Sequence, residues 1–300
     1  FDMSFSADWL ALREPADHRS RNGDLAAAVQ AHFAGRGEVR VTDFGCGTGS
    51  NLRATCALLP AVQHWTLVDY DPALLAEARR VLARWAESAN EPDGRLILTH
   101  RGKRIEVAFQ QVDLNSDLDA ALEPTPDLVT ASALFDLISE TWIRSFARKL
   151  AARRCAFYTV LTYDGRDEFA PPHAADHAVI AAFAAHQGGD KGFGPAAGPR
   201  GADVLASAFA EAGLAVREGD SPWRLGSGDA ALARELLDGV ANAVRETGRL
   251  SPAEIADWLA FRQAHLGDRD SLMLTGHRDT FAVPRSSIVP GASASARRRG

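Results

Sequence analysis

The chain has 300 residues, 46% of them hydrophobic, and carries 39 acidic against 33 basic side chains for a formal net charge of −6. That hydrophobic share supports a substantial core and excludes wholesale disorder, and with no basic run before Arg297-Arg298-Arg299 the acidic balance argues against general nucleic-acid or membrane-surface binding. No apolar stretch approaches the roughly 20 residues of a membrane span, no secretory signal is read, and Cys46, Cys56 and Cys155 lack paired or metal-like spacing, so a cytoplasmic location and no metal are expected.

From residue 4 to about residue 35, apolar positions recur at three- and four-residue steps, which predicts helices: Trp9-Leu10 and Leu12, then Leu25, Ala28-Val29 and His32-Phe33. The charged stretch Arg13-Glu14-Pro15-Ala16-Asp17-His18-Arg19-Ser20-Arg21 between them reads as a solvated helix junction. A first strand over Val39-Arg40-Val41 runs into Asp43-Phe44-Gly45-Cys46-Gly47-Thr48-Gly49-Ser50-Asn51, a tight glycine turn followed by a helix. Alternate glycines remove Cβ atoms and permit positive φ, so that backbone can lie against a ligand. A helix opening near Ser50 would present unpaired N–H groups to an anionic group at the same place.

Spacing then separates the ligands. A dinucleotide fingerprint, G-x-G-x-x-G, needs glycine where Ser50 stands, which makes an NAD-dependent oxidoreductase the weaker alternative. The D-x-G-x-G-x-G pattern closed by Asp43 resembles motif I of class I S-adenosylmethionine (SAM)-dependent methyltransferases. The resemblance implies that Asp43, Gly45, Cys46, Gly47, Gly49 and Asn51 surround the methionine part of SAM, with S-adenosylhomocysteine (SAH) as product. A second strand, Trp65-Thr66-Leu67-Val68, ends in Asp69-Tyr70-Asp71-Pro72, about 20 residues after the glycines, where a ribose-binding acid belongs. Asp69 is assigned both ribose hydroxyls, Tyr70 joins the cofactor set, and Asp71-Pro72 reads as an N-cap with proline at the first helical position. A third strand over Val107 to Val112 ends in Asp113-Leu114, the pair that the resemblance sets against adenine. By the same resemblance residues 4–37 become a lid, in which Arg13 pairs with the methionine carboxylate and Trp9 contacts cofactor or substrate.

Beyond the third strand, Asp127 to Ser132 predicts a fourth and Cys155 to Thr162 a fifth, continuously apolar and so buried on both faces, with a helix through Trp142, Phe146 and Leu150 between. Leu96 to His100 and Ile105 to Val107 suggest a hairpin. A helix over 201–212, a strand from Leu214 to Glu218 and a last strand within Leu272 to Val283 complete an α/β, doubly wound, mostly parallel seven-stranded sheet, the class I methyltransferase fold. Residues 38–285 form the SAM-binding domain. Helical inserts at about 165–200 and 220–270, after strands five and six, are expected to roof the substrate, and 286–300, rich in Ser, Ala, Gly and Arg, reads as a disordered tail.

Methyl transfer is an in-line displacement that needs alignment and water exclusion, and a base only for a protonated nucleophile. The fourth strand ends in Ala131-Ser132-Ala133-Leu134-Phe135-Asp136, without the Asp/Asn-Pro-Pro-aromatic or Pro-Cys motifs of nucleobase methylation. The expected acceptor is therefore an O or N atom of a small molecule, with no nucleic-acid or membrane partner and a monomer or homodimer as the acting form. Ser132 joins the cofactor set. Asp136, Tyr163 and His177 are the candidate catalytic residues, while Trp9, Lys191, Phe193, Trp223 and Arg224 are candidate substrate contacts. A non-catalytic SAM- or SAH-binding protein of the same fold is the alternative.

Overall fold

The computed structural model describes residues 6–285. The expected tail over 286–300, and residues 4 and 5 of the expected lid, lie outside that range.

Helices α1 (Ala7–Ser20) and α2 (Gly23–Phe33) lead into β1 (Glu38–Phe44), α3 (Ser50–Thr55), β2 (Val62–Asp69) and α4 (Pro72–Trp85). The strands β3 (Ser88–Asn90), β4 (Leu96–His100) and β5 (Lys103–Gln111) precede α5 (Leu118–Ala121), β6 (Leu128–Ser132), α6 (Glu140–Arg153) and β7 (Ala156–Ala170). Then come α7 (Asp176–Gln187), α8 (Gly201–Glu211), β8 (Leu214–Asp220), β9 (Trp223–Leu225), α9 (Ala230–Thr247), α10 (Pro252–Ala264) and β10 (Leu272–Pro284).

The main sheet runs β5-β2-β1-β6-β7-β10-β8, with β3 and β4 added as an edge hairpin and β9 paired to β10. Its five central strands pair in parallel and β10 alone runs against its neighbours, the mostly parallel, doubly wound sheet that the resemblance implies. The chain winds outward from β1 through β2 to β5, then returns to β6 on the other side of β1. That reversal opens a crevice at the carboxyl ends of β1 and β6, the place where open α/β sheets bind ligands.

Local signals explain the elements. Asp71 caps α4 by accepting from Ala73 N–H at 2.7 Å, Pro72 opens the helix, and Leu74, Leu75, Ala78 and Leu82 are its buried stripe. The two sheet faces carry separate apolar clusters. One includes Leu25, Val29 and Phe33 of α2, so that α2 belongs to the core. The other is an aromatic stack in which Phe157 and Phe209 lie 4.5 Å apart between centroids.

Two expectations change. The stretch Arg13 to Arg21 is no solvated junction: α1 continues through Pro15 to Ser20, Asp17 is buried, and four polar ties fasten the segment to α3. These are the Glu14–Arg53 ion pair, His18 Nε2 to Ser50 Oγ at 2.9 Å, and Arg21 to Asn51 Oδ1 at 2.9 Å and to Thr55 Oγ1 at 3.0 Å. A dense charge pattern reads as solvated only when its partners, here 30 or more residues away, are unknown. The fifth strand also continues to Ala170, because the start of β10 supplies a ladder and Phe169 a packing site against Trp258. The first part of the insert at 165–200 is therefore sheet. Within the inserts, Arg262 clips α10 to α7 by reaching both Asp176 carboxylate oxygens at 2.6 Å.

Candidate functional site

The crevice holds a cavity of about 900 Å³, walled by the glycine turn, the ends of β2, β5 and β6, α1 and the loop 190–193. In the turn, Gly45, Gly47 and Gly49 adopt φ of +59°, +52° and +77°. At Gly47 the requirement is double, because an added Cβ would also stand 2.9 Å from Leu10 Cδ1 of α1. α1 thus rests on the turn through Leu10, which the sequence marks only as one apolar position of a helix. α3 is only six residues long, so it supplies little of the helix-end field expected at Ser50, whose hydroxyl is engaged by His18 instead.

Asp69 joins the first two recognition elements. Its Oδ2 accepts Gly47 N–H at 2.8 Å and its Oδ1 accepts Asp71 N–H at 3.0 Å, which leaves a lone pair on each oxygen toward the cavity. Burial raises its carboxyl above the usual range, while those backbone donors pull it back. Asp43 acts one layer behind. It is fully buried, accepts from Asn51 Nδ2 at 2.6 Å, and its Oδ2 has no partner. Burial pushes its carboxyl up to about 7 despite the Asn51 hydrogen bond and the Arg21 charge. Asn51, held also by Arg21 and Thr130, reaches the cavity while Asp43 does not.

Tyr70, Asp113, Leu114, Ser132 and Cys46 line the cavity. Burial raises the Cys46 thiol well above its ordinary value, which suits a filler and not a nucleophile. Beside Ser132, Ala133 holds φ of +52°, a strained left-handed position on the wall. Arg13 also lines the cavity, but its guanidinium is already forked onto Asp17 at 2.9 and 3.2 Å and lies 4.9 Å over the Trp223 ring. Asp17 takes Trp223 Nε1 as well, at 3.1 Å.

Several candidates lie elsewhere. Gly49 faces Leu82, and Trp9 packs against the core cluster. Arg224 is exposed on β9, while Trp223 is buried behind Arg13 and not on the wall. His177 is exposed on α7 and outside the cavity lining, because the apolar side of that helix buries Val179 and Ala182 instead. Tyr163 is buried and donates to Asp167 at 2.5 Å. Burial and the Asp167 carboxylate hold its proton in place, so it does not serve as a base at neutral pH. Asp136 sits between the lining residues Leu134 and Leu137, and burial raises its carboxyl to about 6 against the pull of its own backbone and of Arg13. Lys191 and Phe193 line the cavity on the loop. The helices of the two inserts do not reach the lining, so the roof expected from them reduces to residues 190–193.

His277 of β10 escaped the sequence reading, since nothing marks one histidine in an apolar strand. It is buried 5.2 Å from the Trp223 ring and 6.3 Å from Tyr163, with Nδ1 unpartnered, and burial followed by the Arg13 charge lowers it to about 3. It is neutral throughout the physiological range.

Among the described residues no group of three or more His, Cys, Asp and Glu gathers as a metal site, and no helix is long and apolar enough to cross a membrane. No protein-family profile and no curated protein matches the chain. Among solved structures it is similar to the cyclopropane synthase MmaA2 of Mycobacterium tuberculosis, at 11% identity over 93% of this chain and 94% of that one, with a TM-score of 0.47. A cyclopropane-fatty-acyl-phospholipid synthase-like protein of Lactobacillus casei shares 18% identity over 92% and 94%, TM-score 0.46. Phosphoethanolamine N-methyltransferase 2 of Haemonchus contortus, solved with SAH, shares 11% over 95% and 59%, TM-score 0.44. Likenesses this remote carry no argument about chemistry, which rests on the cavity itself.

Proposed function

We propose that the chain is a SAM-dependent methyltransferase acting on an O or N atom of a small molecule. One observation carries the reading: the glycine turn and the acid at the end of β2 share a hydrogen bond, Gly47 N–H to Asp69, on the wall of one cavity that Asp113 also lines. The residues fit the cofactor. The glycine turn gives close backbone approach for an amino-acid moiety, Asp69 keeps two acceptor positions for ribose hydroxyls, and Val112 with Leu114 offers an apolar floor beside Asp113 for adenine. Ser50, where a dinucleotide fingerprint requires glycine, is tied to His18, which weighs against a nicotinamide nucleotide.

Bound SAM would supply an electrophilic methyl group on a sulfonium centre. The chain's part is to orient and to exclude water: α1 covers the turn through Leu10, and Arg13 with Asp17 forms a neutralised wall on the acceptor side. Of the three candidate bases, Asp136 alone is flanked by lining residues, Leu134 and Leu137, and has a carboxyl raised toward neutral pH.

A second reading, binding without turnover, is favoured by one fact: none of Asp136, Tyr163 and His177 lines the cavity. Calorimetric titration with SAH, followed by assay of SAH release from SAM in the presence of a fractionated metabolite extract, separates the two. Tight binding with SAH release in some fraction supports the enzyme; tight binding with none in any fraction supports the sensor. Failure to bind either ligand refutes both.

A further inference from the structure

We propose that the hairpin formed by residues 188–196 is a clamp for the purine base of the cofactor, so that this insert recognises SAM and not the methyl acceptor. The inference rests on the SAM reading above. Connectivity carries it first. At its base Ser139 bridges Ala196, and Ala197 N–H donates to Ile138 O at 2.8 Å, which fastens the hairpin to the segment after β6. Its tip is held from the other side: Asn115, two residues past Asp113, donates through Nδ2 to Gly192 O at 3.0 Å. Between these points Asp190 fixes the turn, its Oδ1 accepting Gly192 and Gly194 N–H at 2.8 and 3.1 Å. The hairpin therefore spans from the start of α6 to the loop after β5, over the part of the cavity lined by Val112, Asp113 and Leu114.

The side chains there suit a flat base. Phe193 lines the cavity and sets its ring at 85° to Trp142, 5.8 Å between centroids. Trp142 in turn donates Nε1–H to Leu114 O at 3.1 Å, which locks the wall behind both residues. Phe193, Leu114 and Val112 then make an apolar slot with the Asp113 carboxylate at its rim. One oxygen of that carboxylate accepts Asn115 N–H at 2.9 Å, and a carboxylate has acceptor capacity beyond that one bond for an exocyclic amino group. An aromatic face plus one acceptor is what an aminopurine requires, whereas an acceptor of methyl groups would meet α1 and the segment 134–137 at the opposite end.

Calorimetry on the full chain with SAH and with 5′-methylthioadenosine, which keeps purine and ribose but lacks the amino acid, tests the assignment. Phe193→Ala should weaken both ligands by on the order of tenfold, the scale of one aromatic ring stacked on a base, and Phe193→Tyr should restore affinity. Asn115→Ala, at an exposed tether, should weaken both roughly three- to tenfold while leaving the thermal midpoint in place. Equal affinity of wild type and Phe193→Ala for both ligands overturns the clamp and leaves the SAM reading standing. A wild-type chain that binds neither ligand overturns that reading and the clamp together.

Discussion

Replacing Asp69 by alanine puts the largest demand on the proposed function. The carboxylate now receives Gly47 N–H at 2.8 Å and Asp71 N–H at 3.0 Å, and in the SAM complex it would also receive two ribose hydroxyls. A hydrogen bond to a charged group contributes about 1.5–3 kcal/mol, so losing two gives about 3–6 kcal/mol before water refills the space. At the lower limit SAH affinity drops roughly 100-fold. The two backbone donors left without an acceptor also loosen the turn, at about 1–2 kcal/mol, which lowers the thermal midpoint by roughly 2–8 °C in a chain of this size. Calorimetric titration with SAH measures the first number and thermal unfolding the second. Because burial raises the Asp69 carboxyl and only its ionised form accepts both hydroxyls, wild-type affinity should fall on acidification sooner than for an ordinary carboxylate. Asp69→Asn should lack that fall. A dissociation constant within threefold of wild type for a folded Asp69→Ala would show that this carboxylate meets no ribose, and the cofactor assignment would fail with it.

Gly47→Ala places a side chain at φ of +52° and 2.9 Å from Leu10, so a stability loss of about 1–2 kcal/mol and weaker SAH binding are expected from urea unfolding and calorimetry. Asp43 has a folded-state value near 7 against an ordinary 3.8, so the folded chain retains a proton that the unfolded chain has released between those limits. Stability should therefore fall as pH rises from about 4 to 7, with Asp136 adding to the slope in the same sense, and Asp43→Asn should flatten it in urea midpoints taken at pH 5 and pH 8. Arg262→Ala strands the Asp176 carboxylate under α10 and should cost about 3–5 kcal/mol in urea unfolding, yet leave SAH affinity unchanged because neither residue lines the cavity.

The glycine-turn side of the cavity was legible because its signals are local. Glycines with positive φ, an acid closing each strand and an Asp-Pro helix start are set by a few neighbouring residues, and Gly47, Asp69, Asp113 and Asn51 accordingly line one cavity. The side chains assigned to an acceptor were not. Trp9, Trp223 and Arg224 were read from residue type, but facing direction depends on the partner surface: Trp9 turns to the core, and Trp223 packs under Arg13. His177 and Tyr163 failed for the same reason, one pointing to solvent and the other bound to Asp167.

Sequence by itself determined the alternation of strand and helix, the glycine turn and the acids at the ends of β1, β2 and β5, since each is written in periodicity, backbone sterics or spacing within about one supersecondary unit. Only the tertiary structure decided that α1 lies on the turn through Leu10, that Arg13 is already neutralised by Asp17, and that His277 stands behind them from a strand some 260 residues away. Those facts depend on long-range packing, which joins side chains whose separation along the chain carries no periodic mark.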